Sequence, residues 1–374
     1  MRITRSFLLL TAGALALAAC GGGTSADETT TVASTSTTTT STTVPETTTT
    51  AEVTTTTEAV TTTTELPAVI RQPLTGQPLA SAEEIIQRPA LVAKIDNVDA
   101  RQNHTGLAVA DIVYEEVVEG RATRFAAVFH SQSADPLGPI RSGRTQDVLL
   151  FSSYNSPLFV WSGGNGAVTR IIDESTLINM GPGHADGYFR GPGKAPHNLY
   201  NSTDAIWLQT PADHPGPPGQ NFQYLRDGET FTGDPSAGFA AGIGSTQVDW
   251  QWNAETLKFE RSQNGTPHVD KTYGQIGATN VVVMGVEYHP SPADARSPEA
   301  QTAGDGPVFI FSDGKVIEGN WQRDNVFVPM QYFDLQGNEI KLNVGNTWVE
   351  LAEEVPTLDP AKTGVNMIVK PAAQ

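Results

Sequence analysis

Ile112-Val-Tyr-Glu-Glu-Val-Val-Glu119, then Gly120-Arg121, then Thr123-Arg-Phe-Ala-Ala-Val-Phe-His130 is the stretch that decides the fold class. Both runs are rich in β-branched and aromatic residues, and a glycine separates them, which is the pattern of an antiparallel hairpin. In the second run Arg124, Ala126, Val128 and His130 share one face, because side chains alternate along a strand. Working outward, Pro89-Ala-Leu-Val-Ala-Lys-Ile-Asp96 reads as a buried strand, and 156–162 as another that ends in Gly163-Gly164. Helical spacing is expected over 142–154, carried by Val148, Leu149 and Phe151, and over 168–178. Strands followed by helices suggest α/β, but the hairpin directs the assignment to α+β, with a mixed α/β first lobe.

The second lobe reads as β-rich. Val248, Trp250 and Trp252 alternate, as do Leu257, Phe259 and Arg261, and 280–288 is strongly apolar. Asn264-Gly265, Asp313-Gly314 and Gly337-Asn338 are turn dipeptides between strand-like runs, and 347–351 is a last strand. An antiparallel sheet or small barrel is expected. The Pro/Gly-rich 211–219 and the weakly patterned 232–244 mark the boundary, giving lobes at 72–240 and 241–360 and a tail at 361–374.

The first 20 residues combine Arg2 and Arg5, a short apolar run and small residues ending at Cys20. That is a leader with a cleavage site, and the apolar run is too short to span a bilayer. Leu17-Ala18-Ala19-Cys20 resembles the bacterial lipobox, in which the cysteine carries the lipid. Each buried methylene contributes about 0.8 kcal/mol, so two or more chains anchor stably. Cys20 is the sole cysteine, so intramolecular disulfides, thiol catalysis and cysteine-ligated zinc are excluded. Residues 21–65 are mostly Thr, Ser, Ala, Gly and Val with scattered acids and no Lys or Arg. Such a segment buries too little apolar area to fold, and the expectation is a disordered stalk over 21–71. Square-root scaling gives it a reach of about 35–40 Å. The net charge of −18 divides as +2 for 1–20, −6 for 21–65 and −14 for the remainder. Nucleic acid is therefore disfavoured as a partner, and an anionic ligand requires a local arginine cluster. The expected placement is the outer face of the cell membrane, held through lipidated Cys20.

Gly-x-Ser-x-Gly, Walker, His-Glu-x-x-His and dinucleotide-binding signatures are missing, and no cofactor or metal is expected. Ser162 before Gly163-Gly164 is either a nucleophile or part of a packing turn. Gly138-Pro-Ile-Arg-Ser-Gly-Arg144 places Arg141 and Arg144 where a Gly/Pro loop enters an expected helix. Guanidinium forks and helix-start N–H groups hold carboxylate or phosphate. Equally, Ser142 caps that helix and the arginines pair with nearby acids. Ala195-Pro-His-Asn198 offers His197 as a general base oriented by Asn198 or as a metal ligand, with His184 in a preceding loop. Glu115 and Glu119, four apart on a strand, stand about 13 Å apart, beyond the roughly 5–9.5 Å of glycosidase pairs. Either is a candidate acid with Asp96, and a Glu119–Arg124 ion pair is the structural alternative. Asp96, Asn97 and Asp99 supply oxygen ligands but too few for a calcium loop.

Taken in order, Lys94-Ile-Asp-Asn97, Ala110-Asp-Ile-Val-Tyr-Glu115, Glu119-Gly120, Thr123-Arg-Phe125, Gly138-Pro-Ile-Arg-Ser142, Arg144 and Ala195-Pro-His-Asn198 resemble the YerB-like family. Ala278-Thr-Asn-Val-Val-Val283, Gly319-Asn-Trp321, Gly337-Asn338 and Thr347-Trp-Val-Glu350 extend the resemblance to about 72–355. It implies a lipoprotein with a two-part domain, α+β with a β-rich C-terminal portion, and no accepted activity. The motif residues transfer as candidates for one shared site. Three roles stay open. A binding lipoprotein would clamp an anionic cell-wall ligand with Arg141, Ser142, Arg144, Arg124, Asn198, Asp96 and Asn97. An envelope hydrolase or transferase would use His197 with Glu119, Glu115 or Asp96. A structural protein would use the arginines only to bridge lobes.

Overall fold

The computed structural model describes residues 68–98, 103–353 and 367–372. Cys20, the leader, the expected stalk up to 67 and Asp99 lie outside the described residues. The described residues form one compact unit.

The hairpin forms as the sequence predicts. Strand β1 (Leu91–Asp96), β2 (Ile112–Val117) and β3 (Thr123–Phe129) are buried along their whole length. β3 pairs antiparallel with both β1 and β2, which sets Asp96 and Glu116 opposite Arg124. A short turn at Glu119–Arg121 joins β2 to β3, with Gly120 and Arg121 at φ 68 and 61. Helix α1 (Gln146–Phe151) is shorter than expected. Ahead of it the chain runs extended: Arg141 N–H donates to the Lys94 carbonyl, and the Arg141 carbonyl accepts from Ser162 N–H. Arg141 therefore bridges β1 to the segment that follows β4 (Leu158–Val160), which runs parallel to β1, and Ser142 does not cap α1, whose N-cap position is Thr145. Helix α2 (Gly166–Asp173) is capped by Asn165. It stops short of 178 because the Ser175 hydroxyl bonds the Ile172 carbonyl and accepts from Leu177 N–H, diverting the backbone. β5 (Ile178–Asn179) and α3 (Thr203–Trp207) complete the first half.

The weakly patterned 232–244 is a strand, β6 (Asp234–Ile243), not a linker. Its pattern is blurred by Gly238, at φ 125, where a Cβ would stand 2.0 Å from the Trp250 carbonyl oxygen. β7 (Thr246–Asn253) and β8 (Lys258–Gln263) turn Val248, Trp250, Phe259 and Arg261 inward. Leu257, expected inward with them, is exposed in the turn at φ 53. β9 (Asn280–Gly285) precedes a hairpin of β10 (Tyr288–Ser291) and β11 (Asp294–Ala300). β12 (Gly304–Ser312) and β13 (Lys315–Arg323) meet at Asp313-Gly314, both with positive φ. β14 (Gln331–Asp334), β15 (Thr347–Ala352) and β16 (Ile368–Pro371) follow.

The C-terminal strands are neither purely antiparallel nor a barrel. β15 runs parallel to both β9 and β2, setting Glu350 opposite Glu115. One mixed sheet thus runs β8-β7-β6-β13-β12-β9-β15-β2-β3-β1-β4-β5. The physical reason lies in β15 itself. Trp348 faces one apolar core while Val349 and Leu351 face the other, so the strand has no side to leave in water.

Candidate anion-binding site

Strand alternation sorts the buried charges of β1, β2 and β3 onto two faces. On the face that carries α1, Lys94 is fully buried between Glu116, with which it is in contact, and Asp147 at 2.8 Å. Burial pulls its ammonium down to about 8, against the attraction of Asp147. Asp147 also accepts the Arg144 N–H at 2.6 Å, so the start of α1 is satisfied internally and offers no free helix terminus.

Lys94 absorbs two carboxylates. Beside it, among the described residues, Arg141 pairs with Asp96 and Arg144 with Glu119, and Arg124 pairs with no carboxylate. Arg144 Nη2 holds the Glu119 carboxylate at 2.5 Å, and the Ser297 hydroxyl of β11 donates to the other oxygen. Burial would raise the Glu119 pKa, but these two donors hold it down to about 2. The expected Glu119–Arg124 pair does not form. Arg141 Nε lies 3.4 Å from Asp96 Oδ2. Arg124 is 6% exposed, and its Nη1 donates to the Ser142 carbonyl at 2.8 Å. Its Nε has no hydrogen-bond partner, and no carboxylate reaches it at ion-pair distance among the described residues. Burial, then Arg144 and Arg141, lower its pKa to about 10.

His197 joins this group. Its Nδ1 meets Asp96 Oδ2, and a quarter of the side chain is exposed. Asp96, not Asn198, orients the ring. Asn198 instead accepts from Arg190 and donates to the Gly191 and Gly193 carbonyls, bracing the loop before His197. The Ser142 and Ser162 hydroxyls stand 3.5 Å apart at the rim. Gly163, at φ 98, has open space where a Cβ would lie, so glycine there serves the backbone conformation.

Glu115 and Asn97 are not in this group. They point to the opposite face, where Glu115 contacts the fully buried Arg261 and Asn97 bonds Glu115, Thr123 and Gln263. Glu350 stands 3.7 Å from the same Arg261 and accepts from Trp250 at 2.9 Å. Burial and then Glu115 push the Glu350 carboxyl well up. A chain of neutral imidazoles continues from there. Arg261 Nη1 donates to His268 Nδ1 at 2.7 Å, which sets the proton on His268 Nε2 facing His104 Nδ1 at 2.8 Å. His104 Nε2 then donates to the Asp96 carbonyl at 2.6 Å. Glu116, Asp147, Arg261 and Ser297 were missed as site or network residues from sequence, and Lys94 and Glu350 were carried only as members of the family motifs. The signal lay in charged residues within strand-like runs, Lys94 and Glu116 above all.

Among the described residues no three His, Cys, Asp or Glu side chains are grouped to hold a metal. Residues 74–215 match the family described as protein of unknown function (DUF3048), N-terminal domain, and residues 240–349 match its C-terminal domain. A Bacillus subtilis (strain 168) protein described as "Putative lipoprotein YerB" is 26% identical over 304 residues, 78% of this chain and 88% of the relative. The crystal structure of YerB protein from Bacillus subtilis superposes with a TM-score of 0.66 at 22% identity, covering 80% of this chain and 99% of that one. That likeness establishes a shared fold.

Proposed function

This chain belongs to the DUF3048 family, and on that premise we propose that it is a lipid-anchored envelope protein binding an acidic cell-wall component at Arg124, Arg141 and Arg144. The single observation that carries this reading is Arg124. A nearly buried guanidinium with an unpartnered Nε, beside two further arginines, is costly unless an anion completes it. Arg141, Arg144 and His197 remain partly open, so an anion reaches the group from solvent. The anchor rests on the lipobox at Cys20 and on the description of the Bacillus relative. On this reading the anchor holds the domain at the extracytoplasmic face, with the acidic segment 21–71 as its tether toward the wall. Purified muropeptides titrated into the protein test the reading. Each charge-assisted bond contributes about 1.5–3 kcal/mol, so an Arg141→Ala/Arg144→Ala double variant should bind more weakly by at least on the order of 100-fold. Equal affinity of the two proteins refutes it.

The Asp96–His197 pair favours a second reading. A carboxylate on Nδ1 fixes a tautomer whose Nε2, unpartnered among the described residues, is suited to general-base work on a wall bond. Release of soluble fragments from purified wall, abolished in His197→Ala, would support hydrolysis; no release by the wild type would end it.

A further inference from the structure

A cavity of about 330 Å3 lies between the β2–β3 turn and the β10–β11 hairpin, connected to Arg144 through Ser297 and Glu119. Ser297 makes the link: it lines the cavity, and its hydroxyl holds the Glu119 carboxylate that Arg144 also holds. One wall is apolar, made by Val117, Tyr288, Pro290 and Pro298. The other carries the Arg121–Glu353 ion pair at 2.6 Å, which presents donors and acceptors side by side. A pyranose matches such walls, since one face is C–H and its hydroxyls both donate and accept. The volume is at the small end of ligand sites, which run to roughly 300–1,000 Å3, and so fits a compact body rather than a polymer. Resting on the anion-binding reading above, we propose that this cavity holds the sugar body of an acidic saccharide whose acid group reaches Arg144 and Arg124. Glu119 occupies the junction and gives way to the ligand's acid. The C-terminal half thereby contributes directly to a site whose charges come from the N-terminal half.

Calorimetric titration with N-acetylmuramic acid, N-acetylglucosamine, lactate and inorganic phosphate tests this. The wild type should bind N-acetylmuramic acid at least about tenfold more tightly than lactate, a difference of about 1.4 kcal/mol, and N-acetylglucosamine more weakly than either acid sugar or phosphate. Ala295 is exposed and lines the cavity, so Ala295→Trp fills it without disturbing the core. That variant should lose the sugar-dependent gain while binding lactate and phosphate as before, which also shows that its fold is intact. Equal wild-type affinity for N-acetylmuramic acid and lactate overturns the cavity assignment alone. An equal loss of all acids in Ala295→Trp does the same. Failure of every acid to bind the wild type overturns the anion-binding reading with it.

Discussion

At Glu119, burial raises the carboxyl's pKa, yet the Arg144 guanidinium and the Ser297 hydroxyl hold it down to about 2 from an ordinary 4.5. The folded value lies below the unfolded one, so the contact stabilises above pH 4.5 and that contribution fades as pH falls toward 2. Urea midpoints measured between those values should fall less steeply in Glu119→Gln than in the wild type; identical slopes would show that the contact is not formed. Lys94 belongs to a different class, because it is buried with Glu116 and Asp147 and has no route to water. Lys94→Ala leaves two buried carboxylates uncompensated, and urea denaturation should register a loss of about 3–5 kcal/mol. The sequence shows Lys94 in a strand that reads as buried, but its partners come from β2 and α1, and no local rule pairs residues that far apart. Arg141, Arg144, Arg124, Asp96 and His197 were legible as candidates because short motifs carry them, but the missing carboxylate partner of Arg124 was not, since it depends on which acids Lys94 and Arg144 take.

At the scale of elements, the β2–β3 hairpin organises the charges. Adjacent Glu115 and Glu116 diverge to opposite faces, so two buried polar networks form back to back. Turn dipeptides and apolar alternation made the strands legible. They could not separate the Glu115 network from the Glu119 one, because both faces are buried and neither shows a polar rhythm. The imidazole chain joins the two. Burial pulls the His104 pKa down from an ordinary 6.5 to about 4, so the unfolded chain binds a proton there in that window and the folded one does not. Stability should therefore fall as pH drops from 6.5 to 4. His104→Gln should flatten that dependence in thermal unfolding followed by circular dichroism, although His130, pulled down to about 4 in the same way, leaves a remainder. An unchanged pH profile would mean that His104 is not held neutral.

For the whole molecule, β15 is the decisive strand. It reaches from the C-terminal end of the chain into the middle of the sheet, parallel to β9 on one side and β2 on the other. The two matched portions therefore share a sheet, which the Pro/Gly-rich loop at 211–219 conceals in the sequence. Pairing partners for a parallel strand are chosen by tertiary packing, and local pattern is silent about them. A fragment of residues 72–240 lacks β15 and should fail to show cooperative unfolding, whereas the full chain should show a single transition. A cooperative fragment would contradict the shared-sheet account. The central claim remains the arginine group. Side-chain 15N–1H spectroscopy of the arginine Nε–H groups during titration with muropeptides tests it most directly. The account predicts large shifts at Arg124, Arg141 and Arg144, whose Nε atoms all lack a hydrogen-bond partner, with Arg261, held by Glu115 on the opposite face, unmoved. Binding that leaves those three resonances in place would contradict it.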